Sequence, residues 1–163
     1  MPLREAAPHG HQTENHVISK GLWTKRGTLP WAGLDALRDQ PESLWANTAS
    51  TKAGGLFDCM SRQDAANFDY SLVLLKRKEF VVEVGTSTWD GSTKRTYRDK
   101  FRYEGVSYSL KITDPVARAA FKSKDIGNHV LNDVYLCLSL TEPYQEDGRC
   151  HKLVASVFTN PRL

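Results

Sequence analysis

The sequence predicts a mainly β fold, in which residues 71–163 form a small five-stranded barrel and residues 1–70 form an irregular, partly helical extension. Three observations lead to this prediction. Nearly all segments rich in β-branched and aromatic residues lie after residue 70. Two of those segments have a period of two in their apolar and polar residues, as half-buried strands do. A short helical segment separates the third strand from the fourth.

The strands of the predicted barrel follow one another with clear turn signals. SLVLLKRKEFVVEV reads as a long, bent first strand, and the Asp90-Gly91 turn leads into KRTYRDKFRY. VSYSLKITD is the third strand, and DPVARAAFKSK is a helix with Asp114 as N-cap and Pro115 as first helical residue. DVYLCLSL and HKLVASVF complete the set. The order β-β-β-α-β-β is the pattern of the OB-fold.

The second and third strands allow a register to be predicted. If Tyr103 lies opposite Val106 across the Glu104-Gly105 turn, one face of the pair is apolar and the other is basic and hydroxylic. The apolar face contains Tyr97, Phe101, Tyr103, Tyr108, Leu110 and Ile112. The basic face contains Arg98 opposite Lys111, Lys100 opposite Ser109, and Arg102 opposite Ser107.

The extension over residues 1–70 contains only short predicted elements. We expect a strand within residues 17–23, a short helix in LPWAGLDALRDQ with Trp31, Leu34 and Leu37 on one face, and a turn in PESLWAN that buries Leu44 and Trp45. SRQDAANF is a further short helix capped by Ser61, and TASTKAGG is a loop. So much irregular chain is expected to pack against the barrel.

Composition places the chain among globular proteins of the cytoplasm. No apolar stretch approaches the roughly 20 residues that a membrane helix needs, and the N-terminus does not resemble a signal peptide. Cys59, Cys137 and Cys150 are odd in number and scattered, which favours free thiols over a disulfide framework.

The positive charge of the chain is concentrated on one hairpin. Residues 94–111 contain six basic and two acidic side chains, a balance of +4, and since the whole chain carries +3 the remainder carries −1. In an OB-fold this outer face is a usual place for oligonucleotides. The sequence therefore predicts a nucleic-acid-binding surface made of Lys94, Arg95, Arg98, Lys100, Arg102 and Lys111, with Trp89 available for base stacking. The alternative is an ordinary solvated strand face.

Several segments together resemble a known family. HGHQTENH, PESLW, FRYEGVSYSLKITDP, DVYLCLSLTEPY and KLVA occur in this order, and with them the chain resembles the bacterial dual OB-containing domain family from about Pro2 to Phe158. The resemblance implies two OB-like barrels in tandem, a setting in bacterial conflict and defence, and a role in sensing nucleic acid or nucleotides. It also implies first-barrel strands upstream of HGHQTENH, so we expect a truncated start or a half-length relative, with a protein partner supplying the other barrel.

The HGHQTENH stretch itself, residues 9–16, is dense in polar side chains. A metal site would use His9, His11, His16 and Glu14, but their spacing matches no zinc pattern and we expect no metal. We favour a structural role, in which Gln12, Glu14 and Asn15 satisfy backbone groups of an irregular segment. A ligand contact through Gln12, Asn15 or His16 is the functional alternative.

No catalytic constellation is visible in the sequence. The cysteines, Ser61 and the histidines form no nucleophile–base set, and neither a P-loop nor a GxGxxG motif is present, so we expect no enzyme and no cofactor. Two interpretations stay open: a module that binds single-stranded DNA, RNA or a nucleotide, and a protein-interaction or scaffolding domain. Leu22, Trp23, Trp31 and Trp45 would discriminate, since an uncovered patch of them indicates a protein partner.

Overall fold

The structure is a computed structural model that describes residues 3–6, 10–18, 24–161 and 163. The strands in this part of the chain are β1 (Leu3–Ala6), β2 (His16–Ile18), β3 (Cys59–Ser61), β4 (Leu72–Trp89), β5 (Ser92–Tyr103), β6 (Val106–Ile112), β7 (Gly127–Leu140) and β8 (Arg149–Phe158). The helices are α1 (Arg62–Ala65), α2 (Pro115–Ala120) and a 3₁₀ helix (Trp31–Leu37). The protein is therefore mainly β, as predicted.

Five strands pair in a closed ring. β1 and β2 form a separate two-stranded sheet, and the other six strands follow the order β3-β8-β6-β5-β4-β7. Because β8 also pairs with β7, the strands from β4 to β8 close on themselves. β6 and β8 run parallel, whereas the other pairs of the ring are antiparallel. The predicted succession of three strands, a helix and two strands is present, and α2 lies between β6 and β7.

The predicted register of the β5–β6 hairpin is confirmed. Phe101 lies opposite Tyr108, Tyr103 opposite Val106, and Arg98 opposite Lys111. The rings of Phe101 and Tyr108 stack at 5.3 Å between centroids. Leu110 and Ile112 are buried on the same face, which places the core where the alternation predicted it.

The two predicted helix caps are also present. The Ser61 hydroxyl accepts from the Asp64 N–H at 3.0 Å, and the Asp114 carboxylate accepts from the Val116 N–H at 2.8 Å. Each cap satisfies an N–H that the first turn of a helix leaves without a partner. The other oxygen of Asp114 accepts from the Val157 N–H at 2.7 Å, which ties the start of α2 to β8.

The N-terminal extension packs against the ring through buried apolar side chains. Leu44 and Trp45 are fully buried, as predicted, and the Trp45 indole donates to the Tyr70 carbonyl at 3.1 Å. The predicted apolar face of the 3₁₀ helix is wrong at Leu37, which is 57% exposed. Trp31 contacts Tyr135 edge-on, but the chain then turns at Arg38, and Asp39 is held against Leu74 by two hydrogen bonds.

One lysine is part of the core. Lys152 on β8 is fully buried, donates to the Asn47 side chain at 2.9 Å and lies 5.2 Å from the centre of the Tyr108 ring. Burial lowers the pKa of Lys152 to about 7. The lysine therefore links β8 to the extension.

Cys59, Cys137 and Cys150 are free thiols, and burial raises the pKa of each. Within the described ranges, the structure contains no helix with both the length and the apolar character required to cross a membrane.

Candidate nucleic-acid interface

The β4–β5 hairpin extends beyond the ring. β7 accompanies β4 only as far as the Val84–Gly127 pair, whereas β4 and β5 remain paired up to Trp89 and Ser92. The turn between them has positive φ angles at Asp90 and Gly91, 50° and 71°. An Asp-Gly pair tolerates this conformation, which matches the twist of the two strands. The hairpin therefore projects a two-stranded arm from one end of the ring.

A groove lies between this arm and helix α2. It consists of two adjoining cavities of about 550 and about 500 Å³. We call it the basic groove, and its cationic side chains are Lys94, Arg95, Arg98, Lys111, Arg118 and Lys122. Among the described residues that line it, Asp90 is the only acidic one. Several cations in a concave site raise the local electrostatic potential and attract anions.

Four of the predicted cations line the basic groove and two do not. Lys94, Arg95, Arg98 and Lys111 face it, whereas Lys100 and Arg102 lie closer to the β5–β6 turn. Lys100 is 2.5 Å from the Glu83 carboxylate, and the Arg102 side chain donates to the Gly105 carbonyl at 3.2 Å. The predicted surface is therefore not one continuous stripe.

The stripe is interrupted by residues 49–58, which we call the covering segment. Its Leu56 exchanges two main-chain hydrogen bonds with Ser109, of 3.4 and 3.0 Å, and its Gly54 carbonyl accepts from the Ser109 hydroxyl at 3.0 Å. The segment thus pairs with the edge of β6 at Ser109 and covers the side chains of Ser109 and Arg98 on the outer face. The sequence predicts only a loop at residues 48–55, because local turn residues do not reveal which surface a loop lies on.

The prediction of an exposed Arg98 is wrong. The covering segment places Asp58 beside it, the guanidinium lies 3.4 Å from the carboxylate, and the two side chains are 11% and 5% exposed. Arg98 also donates to the Ser109 carbonyl at 2.8 Å. Asp58 accepts two further hydrogen bonds of 2.7 Å, from the N–H and the hydroxyl of Thr51. Arg98 therefore holds the covering segment in place and forms one wall of the basic groove.

Helix α2 and the turn that follows it supply two further cations, which are not among the predicted binding residues. Arg118 and Lys122 stand four residues apart, a spacing that places side chains on the same face of a helix. This spacing is visible in the sequence. The sequence does not show, however, that α2 packs next to the hairpin. The Arg118 guanidinium lies 5.8 Å from the centre of the Tyr97 ring, which connects the helix to β5.

Arg95 is the most constrained side chain of the arm. It is half-buried, and its guanidinium donates to the Lys124 carbonyl. Lys94 and Lys111 are exposed, and neither is in an ion pair with another described residue. These two lysines are therefore available to a ligand, as are the exposed side chains of Arg118 and Lys122.

The aromatic residues of the hairpin are mostly buried. Tyr97, Phe101 and Tyr108 belong to the core, as predicted, so they cannot stack on a base. Trp89, the predicted stacking residue, has its side chain outside the part of the structure that is described, and the same holds for Leu22 and Trp23. Trp45 is buried and Trp31 is half-buried, so these two do not form an uncovered patch.

The polar stretch at residues 10–15 makes structural hydrogen bonds. The side chains of His11 and Gln12 both contact the Leu140 carbonyl, at 3.3 and 3.4 Å, and Asn15 donates to Gln12 at 2.9 Å. The Glu14 carboxylate accepts from the Ser71 N–H at 2.9 Å. These contacts favour the structural interpretation. His9 and the side chain of His16 fall outside the described residues, and within those described no three His, Cys, Asp or Glu side chains are grouped as metal ligands.

One acidic residue of β5 lies inside the ring. Asp99 is 1% exposed on the inner face, where the charge of Arg77 and a backbone hydrogen bond from Val81 favour its ionised form. Burial raises the pKa of Asp99 to about 7, against the opposing effect of the Arg77 charge. The alternation of β5 places Asp99 on this face, together with Tyr97 and Phe101.

The chain is similar to a known protein family over almost its whole length. The model of a family described as the dual OB-containing domain matches residues 1–157 of the chain. No curated protein and no solved structure matches it.

Proposed function

Because the chain belongs to the dual OB-containing domain family, we propose that it is a binding module whose basic groove holds nucleic acid, as single-stranded DNA or RNA or as a nucleotide. In the same proposal, the ring from β4 to β8 is the OB-like barrel of the family, with α2 in the position that this fold gives to its helix. The role is one of recognition without catalysis.

The observation that carries the proposal is the convergence of cations from separate elements. Lys94 comes from β5, Lys111 from β6, and Arg118 from α2, and all three line a cavity of about 550 Å³. A solvated strand face needs no such convergence, whereas a chain of phosphates is stabilised by several cations at once through the release of counterions. The groove is therefore stronger support for anion binding than the charge of the hairpin alone.

The defence setting implied by the family resemblance fits this proposal. A groove that contacts phosphates reads little sequence, and such a sensor would respond to the presence of a nucleic acid more than to its sequence. A protein partner is the competing role, and the measurement below distinguishes the two.

Fluorescence anisotropy with a short labelled single strand, repeated at increasing salt concentration, tests the proposal. The variant K94Q/K111Q/R118Q removes cations that line the groove and leaves Arg98 in place, since Arg98 stabilises the fold. The log–log slope of affinity against salt should become less negative by roughly 2 in this variant, about 0.7 for each phosphate of a single strand that the protein no longer neutralises.

The matched control is K100Q/R102Q, which removes cations from the same hairpin but outside the groove. It should leave the slope close to that of the wild type. Equal slopes in the wild type and the groove variant contradict the proposal. An absence of binding to single strands, duplexes and nucleotides at low salt contradicts it as well, and would favour the protein-interaction role.

A further inference from the structure

A second cleft lies on the opposite side of Lys111 from the basic groove. It has a volume of about 700 Å³ and is formed by β6, β8 and the loop of residues 141–148. We call it the acidic cleft, and its functional side chains are Lys111, Glu142, Tyr144, Glu146, Asp147 and His151. Lys111 lines both cavities, so the cleft and the groove adjoin at this residue.

Tyr144 presents an aromatic ring at this cleft and is 51% exposed. The loop that carries it is internally hydrogen-bonded. The Tyr144 N–H donates to the Arg149 carbonyl and the Gly148 N–H to the Tyr144 carbonyl, both at 2.8 Å. His151 contacts the ring edge-on, with 5.9 Å between centroids. A large ring fixed in this way can stack on a flat ligand with little loss of conformational entropy.

The charges of the two cavities are opposite. The acidic cleft contains three carboxylates and one lysine, whereas the basic groove contains six cations and one carboxylate. Phosphates are therefore attracted to the groove and repelled from the cleft. What the cleft offers is a stacking surface surrounded by hydrogen-bond acceptors.

Two of the carboxylates are positioned by the loop itself. Asp147 accepts from the Arg149 N–H at 3.0 Å and lies 3.2 Å from the His151 ring, and the neighbouring Glu146 carboxylate raises the pKa of the Tyr144 hydroxyl. An ionised carboxylate has about four lone-pair positions, so each retains acceptor capacity for a ligand.

We propose that the acidic cleft receives a nucleobase that carries an exocyclic amino group, with its ring on Tyr144 and its amino group donating to Glu146 or Asp147, while the adjoining phosphates lie in the basic groove. This inference rests on the proposed function. Cytosine presents an amino donor where uracil presents a carbonyl acceptor, and carboxylates pair with the former. The protein would then prefer strands rich in amino-bearing bases.

Anisotropy with labelled strands of deoxycytidine and of deoxyuridine, equal in length, tests this inference. The wild type should bind the deoxycytidine strand about tenfold more tightly, within the range of roughly 5- to 150-fold by which a good base contact discriminates. In E146Q/D147N the two affinities should lie within about threefold of each other, because neutral acceptors make weaker hydrogen bonds than charged ones. E104Q/D125N removes two exposed carboxylates elsewhere and should keep the preference.

The contribution of the ring is measured separately. Tyr144→Ala should weaken binding of both strands about tenfold, as expected when one base–aromatic stack is removed, and Tyr144→Phe should restore it. The salt slope should remain that of the wild type in both variants, because neither removes a cation.

The outcomes separate this inference from the proposed function. Steep salt dependence with equal affinity for the two strands would contradict the base preference while leaving the groove proposal intact. Tight binding of a lysine-rich peptide that disappears in E146Q/D147N, without discrimination between the strands, would show that the cleft is a site for a protein and would overturn the inference.

Discussion

The guanidinium group of Arg98 and the carboxylate of Asp58 form a mostly buried ion pair, 3.4 Å apart, between β5 and the covering segment. The two residues are forty positions apart in the sequence. Removing one member of a buried pair leaves the other charge without compensation, which costs more than the pair contributes. Replacing Arg98 should therefore destabilise the fold more than replacing the exposed cations of the hairpin.

Arg98→Gln should lower the free energy of unfolding by about 3 to 5 kcal/mol, the range expected when one partner of a buried ion pair is removed. Lys100→Gln and Arg102→Gln, which are exposed, should change it by less than about 1 kcal/mol each. Chemical denaturation of the three variants measures the difference. Asp58→Asn combined with Arg98→Gln should be less destabilised than the sum of the single variants, and additivity would contradict the pairing.

Gly55 is the position where the covering segment has no room for a side chain. A β-carbon there would lie 1.8 Å from an oxygen of Asp58. Gly55→Ala should therefore displace Asp58 and lower the free energy of unfolding by about 1 to 3 kcal/mol, as overpacking does. Gly27→Ala is the matched control, because its β-carbon would meet no atom within 4 Å. Equal thermal midpoints for the two variants would show that the segment adapts without strain.

Asp99→Asn should change the pH dependence of stability. The pKa of Asp99 is about 7 in the folded protein and about 4 in an unfolded chain. The folded state therefore binds the proton more tightly, and the free energy of unfolding falls as the pH rises from about 4 to about 7. The variant should gain about 4 kcal/mol at pH 8, since each of the three pKa units is worth about 1.4 kcal/mol, and less than about 1 kcal/mol at pH 4. Urea denaturation at both pH values measures this, and equal gains would mean that the carboxyl titrates normally.

Phe101→Ala should remove a central side chain of the core. Its ring stacks on Tyr108 and lies 4.7 Å from the Arg77 guanidinium. The free energy of unfolding should fall by about 3 to 5 kcal/mol, the usual range for truncating a buried phenylalanine. Thermal or chemical denaturation measures it, and a change within experimental error would contradict the observed register of β5 and β6.

The hairpin could be predicted from the sequence because its information is local. Alternation decides the side of a strand on which Phe101 lies, and a capping residue such as Asp114 marks the start of a helix within a few positions. Both predictions are confirmed.

The site could be predicted only in part, since alternation does not reveal what lies against a face. Arg98 was placed on the correct side of β5, but the segment that covers it comes from residues 49–58. Lys152 has the sequence appearance of an ordinary strand lysine, and its burial depends on Asn47, more than a hundred residues away. The contribution of Arg118 likewise requires knowing where α2 packs.

The hydrogen bonds of the covering segment limit where this chain can be divided without breaking buried contacts. Leu56 pairs with Ser109 through the main chain, and the Lys152 N–H donates to the Asp58 carbonyl at 2.8 Å. A fragment that starts at Ser71 would lack these partners together with the buried side chains of Leu44 and Trp45. Genetic recombination that transfers the ring intact is therefore expected to cross over upstream of Leu44, so that the extension and the strands are inherited together.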